Sequence, residues 1–114
     1  MKIAITSSGK SKHSLSDLRF GRCAYFAIYD AQKDTYEFIE NDAIHSSHGA
    51  GISAAQKIQD LGIGIVLTGR LGPKAKKVLD AGSVKGYEIQ EMEIDEAIKA
   101  YKDGLLHEIK EAGA

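Results

Sequence analysis

Residues 23–40 read C-A-Y-F-A-I-Y-D-A-Q-K-D-T-Y-E-F-I-E. The runs 23–30 and 35–40 are rich in aromatic and β-branched side chains, which suit a pleated, half-buried surface. Between them, 31–34 (A-Q-K-D) is a polar turn. So short a connection joins antiparallel neighbours, because a parallel pair needs a crossover of about a dozen residues or more. The stretch is therefore a β-hairpin, and it fixes the direction of the second strand against the rest of the sheet.

Towards the N-terminus, 2–6 is a short apolar run with Ile3 and Ile5, ended by Ser7-Ser8-Gly9, and reads as a buried strand. Residues 10–22 are polar, without a clear period, and read as a loop. Towards the C-terminus, 41–51 is a loop, and Ile52, Ala55, Ile58 and Leu61 form a helical stripe closed by Gly62. The run 63–68 (I-G-I-V-L-T) is a strand of the kind buried on both faces. After a loop at 69–72, Pro73 stands as a first helical residue, where its missing N–H does no harm. Ala75, Val78 and Leu79 face the core, and Gly82 ends that helix. A short strand follows at 86–90, then a third helical stripe at Ile94, Ala97, Ile98 and Tyr101. Gly104 interrupts it, and 105–112 reads as one more helical turn or two, or as a frayed tail. The order βββαβαβα implies an α/β fold whose later strands are parallel with right-handed crossovers.

The hairpin makes strand two run opposite to its neighbours, so it starts where the parallel strands end. The loops 7–22, 41–51, 69–72 and the stretch after Gln90 then share one edge. Ligands of open α/β sheets bind at that edge.

Composition narrows the classes. The 114 residues suit one domain, and 43% hydrophobic with 27% charged residues is ordinary for a globular protein. A formal net charge of −1 gives no basic excess for a nucleic-acid backbone or a membrane surface. Cys23 is the sole cysteine, so no internal disulfide forms and a reducing compartment fits. The first apolar run is too short for a signal peptide, and no run reaches membrane-spanning length. The expected location is the cytoplasm.

At the shared edge, 41–55 reads N-D-A-I-H-S-S-H-G-A-G-I-S-A-A. His45 and His48 lead into Gly49 and Gly51, and a helix begins. Its unpaired N–H groups and dipole favour an anion, beside imidazoles able to ligate a metal. The same stretch also fits a surface loop with two solvated histidines before an ordinary helix. Cys23 follows Phe20-Gly21-Arg22. A guanidinium nearby favours a thiolate, a soft ligand for iron–sulfur species; an inert buried strand cysteine is the equal alternative. His13 is a more distant imidazole, and His107 reads as solvated. Arg70 and Lys74 stand near a helix start, where a cation opposes the dipole unless an anion is shared. A turn with solvated charges accounts for them as well. The four-ligand spacing of a closed zinc site is absent, as is a P-loop. A Cys23–His48 hydrolase lacks an orienting third residue, and a metal-dependent nuclease would need carboxylates on the central strands, which carry none.

Taken together, residues 1–6, Phe20-Gly21-Arg22 before a strand, Asn41, the histidine loop into Gly49-Ala50-Gly51-Ile52-x-Ala54-Ala55, and Gly69-x-x-Gly72-Pro73-x-Ala75 resemble the dinitrogenase iron–molybdenum cofactor biosynthesis family. This is the NifX-type small carrier or accessory domain, and the resemblance spans nearly the whole chain. It implies a three-layer α/β/α domain of ribonuclease-H-like topology, with a mixed five-stranded sheet of order 3-2-1-4-5 and strand two antiparallel. It also implies a non-catalytic carrier or scaffold for an iron–sulfur or iron–molybdenum-type cofactor or precursor, bound transiently and absent from the purified apo form. His48 matches the family's loop histidine, and Phe20 to Arg22 its F-G-R element. Cys23 falls where members vary; Asn is frequent at the position of Arg70, and an acidic residue at that of Gly64.

The expected guest site comprises Ser7, Ser8, Phe20, Gly21, Arg22, Gly49, Gly51, Gly69, Arg70 and Gly72, with Cys23, His45 and His48 as metal ligands. Expected partners are metallocluster assembly or acceptor proteins, with neither nucleic acid nor membrane, and the chain is expected as a monomer or weak homo-oligomer. The rival reading is a module for a phosphorylated or other anionic small molecule at the two helix N-termini.

Overall fold

The central strands sort their side chains alternately into two cores. In β1 (Lys2–Ser7), Ala4 belongs to one apolar cluster and Ile3 and Ile5 to the other. In β4 (Ile65–Thr68), Val66 goes with Ala4, while Ile65 and Leu67 go with Ile3 and Ile5. In β2 (Tyr25–Asp30), Phe26 and Ile28 oppose Ala27 and Tyr29 in the same way. A strand's side chains alternate between faces, so near-continuous apolar runs require both faces to be covered. The cover on one side is α1 (Ala50–Asp60) and α2 (Pro73–Ala81), through Ala54, Ala55, Ile58, Ala75 and Leu79. On the other it is α3 (Ile94–Lys102), through Ile94, Ala97 and Ile98. Each fully buried Ile or Leu contributes roughly 1.5–3 kcal/mol.

This computed structural model describes residues 1–45 and 49–113. With β3 (Thr35–Glu40), β5 (Lys85–Glu88) and β6 (His107–Glu108), the sheet order is β3-β2-β1-β4-β5-β6. β2 is antiparallel to both β1 and β3, and β4 is parallel to β1 and β5. The three-layer arrangement and the order 3-2-1-4-5 are thus as the family resemblance implies.

The sheet has a sixth strand where the sequence suggested a helical turn or a tail. β6 pairs antiparallel with β5, Tyr87 against Glu108 and Glu88 against His107. Beyond it, the Ile109 and Gly113 N–H groups each donate at 2.8 Å, to the carbonyls of Gly86 and Leu71. β5 would otherwise end the sheet with unpaired backbone groups, and the tail covers them. His107 is exposed, but it sits in this strand rather than in a loose tail. Residues 10–22 are likewise tied down. Ser16 bridges to Ser7, Leu15 to Glu93 and Arg19 to Arg70, and Phe20–Arg22 form a turn of 3-10 helix. No helix among the described residues is long and apolar enough to cross a membrane.

Candidate functional site

Register places the loops together. Ser7 pairs with Tyr25 and Tyr25 with Glu40, so the end of β1, the start of β2 and the end of β3 lie at one edge. Thr68 at the end of β4 reaches Thr6, their hydroxyls 3.0 Å apart, and pairs with Glu88 at the end of β5. Both helices on the first face begin at this edge.

α1 is entered through Gly49, which adopts the left-handed conformation at φ 73°, costly for a residue with a Cβ. That entry starts the helix at Ala50, ahead of the stripe that begins at Ile52. Its N-cap, Gly49, has no side chain to cap it, and the same holds for Gly72 at the N-cap of α2, whose first residue is Pro73. The two helix starts pack closely: a Cβ added at Gly51 would lie 3.3 Å from that of Ala75. The 3-10 turn lies over them, and a Cβ at Gly21 would come within 2.8 Å of the Gly51 nitrogen. Three short segments that sequence reading picked out separately thus meet at glycines.

Between them lies an open hollow of about 690 Å³, lined in part by Phe20, Gly21, Arg22, Gly49, Gly51, Arg70 and Gly72. Its cations are Arg19, Arg22, Arg70 and Lys74, and no carboxylate is among its described lining residues. Arg19 is committed to Asp17 through its Nε at 3.0 Å and Nη2 at 2.9 Å. Burial pushes the Asp17 carboxyl up, but hydrogen bonds from Arg19 outweigh it and hold the group below its usual value. Arg22 donates to the Ile44 carbonyl at 3.0 Å. Among the described residues, Arg70 and Lys74 enter no ion pair. Two helix starts with glycine at the N-cap, and a set of cations with no carboxylate in the described lining, give this surface a positive character.

Other expected residues lie elsewhere. Cys23 is fully buried in the core between the sheet and the two helices. Its thiol donates to the Phe20 carbonyl at 3.3 Å. Burial pushes the thiol up to about 12, the Asp17 charge adds to this, and hydrogen bonds from Ser7, Cys23 and Asn41 pull back only in part. The thiolate expected from a neighbouring Arg22 is therefore disfavoured, and the sulfur does not face the hollow. Ser7 is buried with its hydroxyl donating to the Gly9 carbonyl at 2.8 Å, and Ser8 donates to that of Leu15 at 2.7 Å. Both hydroxyls fasten the loop after β1. Gly69 packs under Leu18, where an added Cβ would meet the Leu18 Cβ, and is not part of the lining. His45 is exposed at the end of a 3-10 turn, Asp42–His45, outside the described lining. His48 falls outside the described residues.

Sequence reading missed Leu18 and Arg19, which line the hollow. Their only local signal is adjacency to Phe20-Gly21-Arg22. It also understated Asn41. This 2%-exposed side chain donates to the carbonyls of Gly21 (3.1 Å) and Cys23 (2.9 Å) and accepts from the Ala43 N–H (3.1 Å). It locks the 3-10 turn to the end of β3.

The chain matches, over residues 1–104, the family model described as dinitrogenase iron-molybdenum cofactor. It is similar to the apo form of the orange protein from Desulfovibrio gigas, with TM-score 0.95 and 36% identity, covering 99% of this chain and 96% of that one. It is also similar to a candidate NifB protein from Thermotoga, with TM-score 0.88 and 33% identity over 99% of this chain and 97% of that one. A curated but uncharacterized protein of Methanocaldococcus jannaschii is 32% identical over 94 residues, 80% of each chain.

Proposed function

The chain belongs to the dinitrogenase iron-molybdenum cofactor family, and from that premise we propose that it is a non-catalytic carrier or scaffold in metallocluster assembly. Its cargo is an iron–sulfur or iron–molybdenum-type cofactor, or a precursor of one, passed to assembly or acceptor proteins. The observation that carries this reading is the hollow itself: two helix N-termini with glycine at the N-cap, and Arg70 and Lys74, which enter no ion pair among the described residues, with no carboxylate in the described lining. Clusters rich in sulfide are anionic, and such a surface suits an anion held by N–H groups and cations. Cys23 is buried in the core, outside the lining of the hollow, and its burial favours the neutral thiol. The mode of holding is therefore charge and hydrogen bonding from the protein, with His45 and His48 the proposed imidazole ligands just ahead of Gly49.

Anaerobic reconstitution with iron and sulfide tests this. Visible absorbance should co-elute with the protein and weaken on acidification, because imidazole ligates only when neutral. His48→Ala should weaken it more than His107→Ala. The lack of a thiolate in the described lining favours one second reading, a module for a phosphorylated or other anionic small molecule. Absence of a visible band together with saturable binding of inorganic phosphate would select it.

A further inference from the structure

On the α3 side of the same edge lies a cluster that the hollow does not use. His13 Nδ1 is 2.9 Å from Glu93 Oε1 and 3.6 Å from Asp95 Oδ2. A ligand atom from each of the three side chains lies within 4.8 Å of the others. Backbone pairing creates this arrangement. The Ile94 N–H donates to the Ser14 carbonyl and the Asp95 N–H to that of Lys12, each at 3.0 Å, and Leu15 bridges to Glu93. His13 is thereby pinned between two carboxylates far from it in sequence.

The start of α3 explains part of the cluster. Its dipole favours acids in the first turn, and Glu96 accepts from the Glu93 N–H at 3.2 Å. That accounts for acidic residues here, but not for an imidazole drawn against two of them. Nor does it account for Asp95 Oδ1, which is buried and has no hydrogen-bond partner. A buried carboxylate oxygen without a donor is costly, and a cation would satisfy it.

The spacing suits an ion. Nitrogen and oxygen ligands at about 2.0–2.2 Å from one metal, at angles of about 90–110°, lie about 3.0–3.5 Å from each other. The two separations from His13, 2.9 and 3.6 Å, bracket that range, and the whole set lies within 4.8 Å, so a small shift of one carboxylate brings all three onto one ion. One imidazole with two carboxylates is a set for a borderline divalent transition ion, whose remaining positions would be open to water. We propose that His13, Glu93 and Asp95 form a divalent transition-metal site that clamps residues 12–15 to the start of α3. The clamped segment runs on to Leu18 and Phe20 in the wall of the hollow. A bound ion would stiffen that wall without touching the cargo, and the site stands whether or not the hollow carries a cluster.

The test uses the full chain, freed of metal, with Zn²⁺ followed by calorimetry and thermal unfolding, and Co²⁺ followed by visible absorbance. The wild type should bind one ion and unfold at a higher temperature with it, since binding to the folded state alone stabilises that state. His13→Ala and Asp95→Asn should each weaken binding by more than about tenfold, a loss that even an outer-shell partner can cause. His107→Ala should leave it unchanged. His13 is exposed, with 63% of its side chain accessible, so its alanine variant keeps the fold. No binding by the wild type, equal binding by wild type and His13→Ala, or loss on His45→Ala/His48→Ala instead would each overturn the proposal.

Discussion

Cys23 stands at a strand start beside an arginine, and nothing local in the sequence says whether its sulfur faces out or in. The structure decides through the turn ahead of it, which directs the thiol to the Phe20 carbonyl inside the core. A pH consequence follows. The thiol's ordinary value is about 9.0, and in the fold it holds its proton to about 12. Between those values the unfolded chain binds fewer protons than the folded one, so stability falls as pH rises. Burial raises Tyr36 to about 12 as well, in the same direction. Urea midpoints measured from pH 8 to about 11 should therefore decline, and the decline should be shallower in Cys23→Ala, with Tyr36, and Tyr101 and Lys102, which are also raised, supplying the remainder. The slopes are compared because removing the sulfur also leaves a small cavity. A wild-type profile that stays flat would show the thiol to be exposed.

At the scale of elements, the hairpin, the three parallel strands and all three helices were legible, because period and turn chemistry carry them. β6 was not. It is two residues long, and what holds it is the open edge of β5 rather than any pattern of its own. The tethering of residues 10–22 was hidden for a similar reason, since its bridges are backbone contacts fixed by tertiary register. The candidate site was legible at its glycines, which mark where three segments touch. The contact of the 3-10 turn with the first turn of α1 is the tightest of these. Gly21→Ala would push a methyl to 2.8 Å from the Gly51 backbone nitrogen, and backbone cannot yield as a side-chain end can. Overpacking of this kind costs about 1–3 kcal/mol. Urea unfolding should show that loss, and cargo uptake should fall with it. A Gly21→Ala variant as stable as wild type would mean that the turn and the helix are not docked as described.

The whole molecule carries a net charge of −1, a value that hides its own distribution. Acidic residues concentrate elsewhere, while Arg19, Arg22, Arg70 and Lys74 reach one hollow from two separate segments of the chain. Net charge offers no basic excess for a polyanionic strand, yet the folded sheet edge gathers four cations around one hollow. The histidines proposed as ligands were legible as residue types but not as geometry: His45 lies outside the described lining, and His48 lies outside the described residues. The central claim is that charge and helix N-termini, not the cysteine, hold an anionic cluster. Anaerobic iron and sulfide titration of wild type, Cys23→Ser and Arg70→Glu/Lys74→Glu, read as visible absorbance retained on the protein, tests it most directly. Each exposed charge contact contributes roughly 0.2–1 kcal/mol, and reversal replaces attraction with repulsion, so the double variant should bind at least about tenfold more weakly. Cys23→Ser should bind as wild type does. Loss of the cluster in Cys23→Ser with full retention in Arg70→Glu/Lys74→Glu would contradict the account.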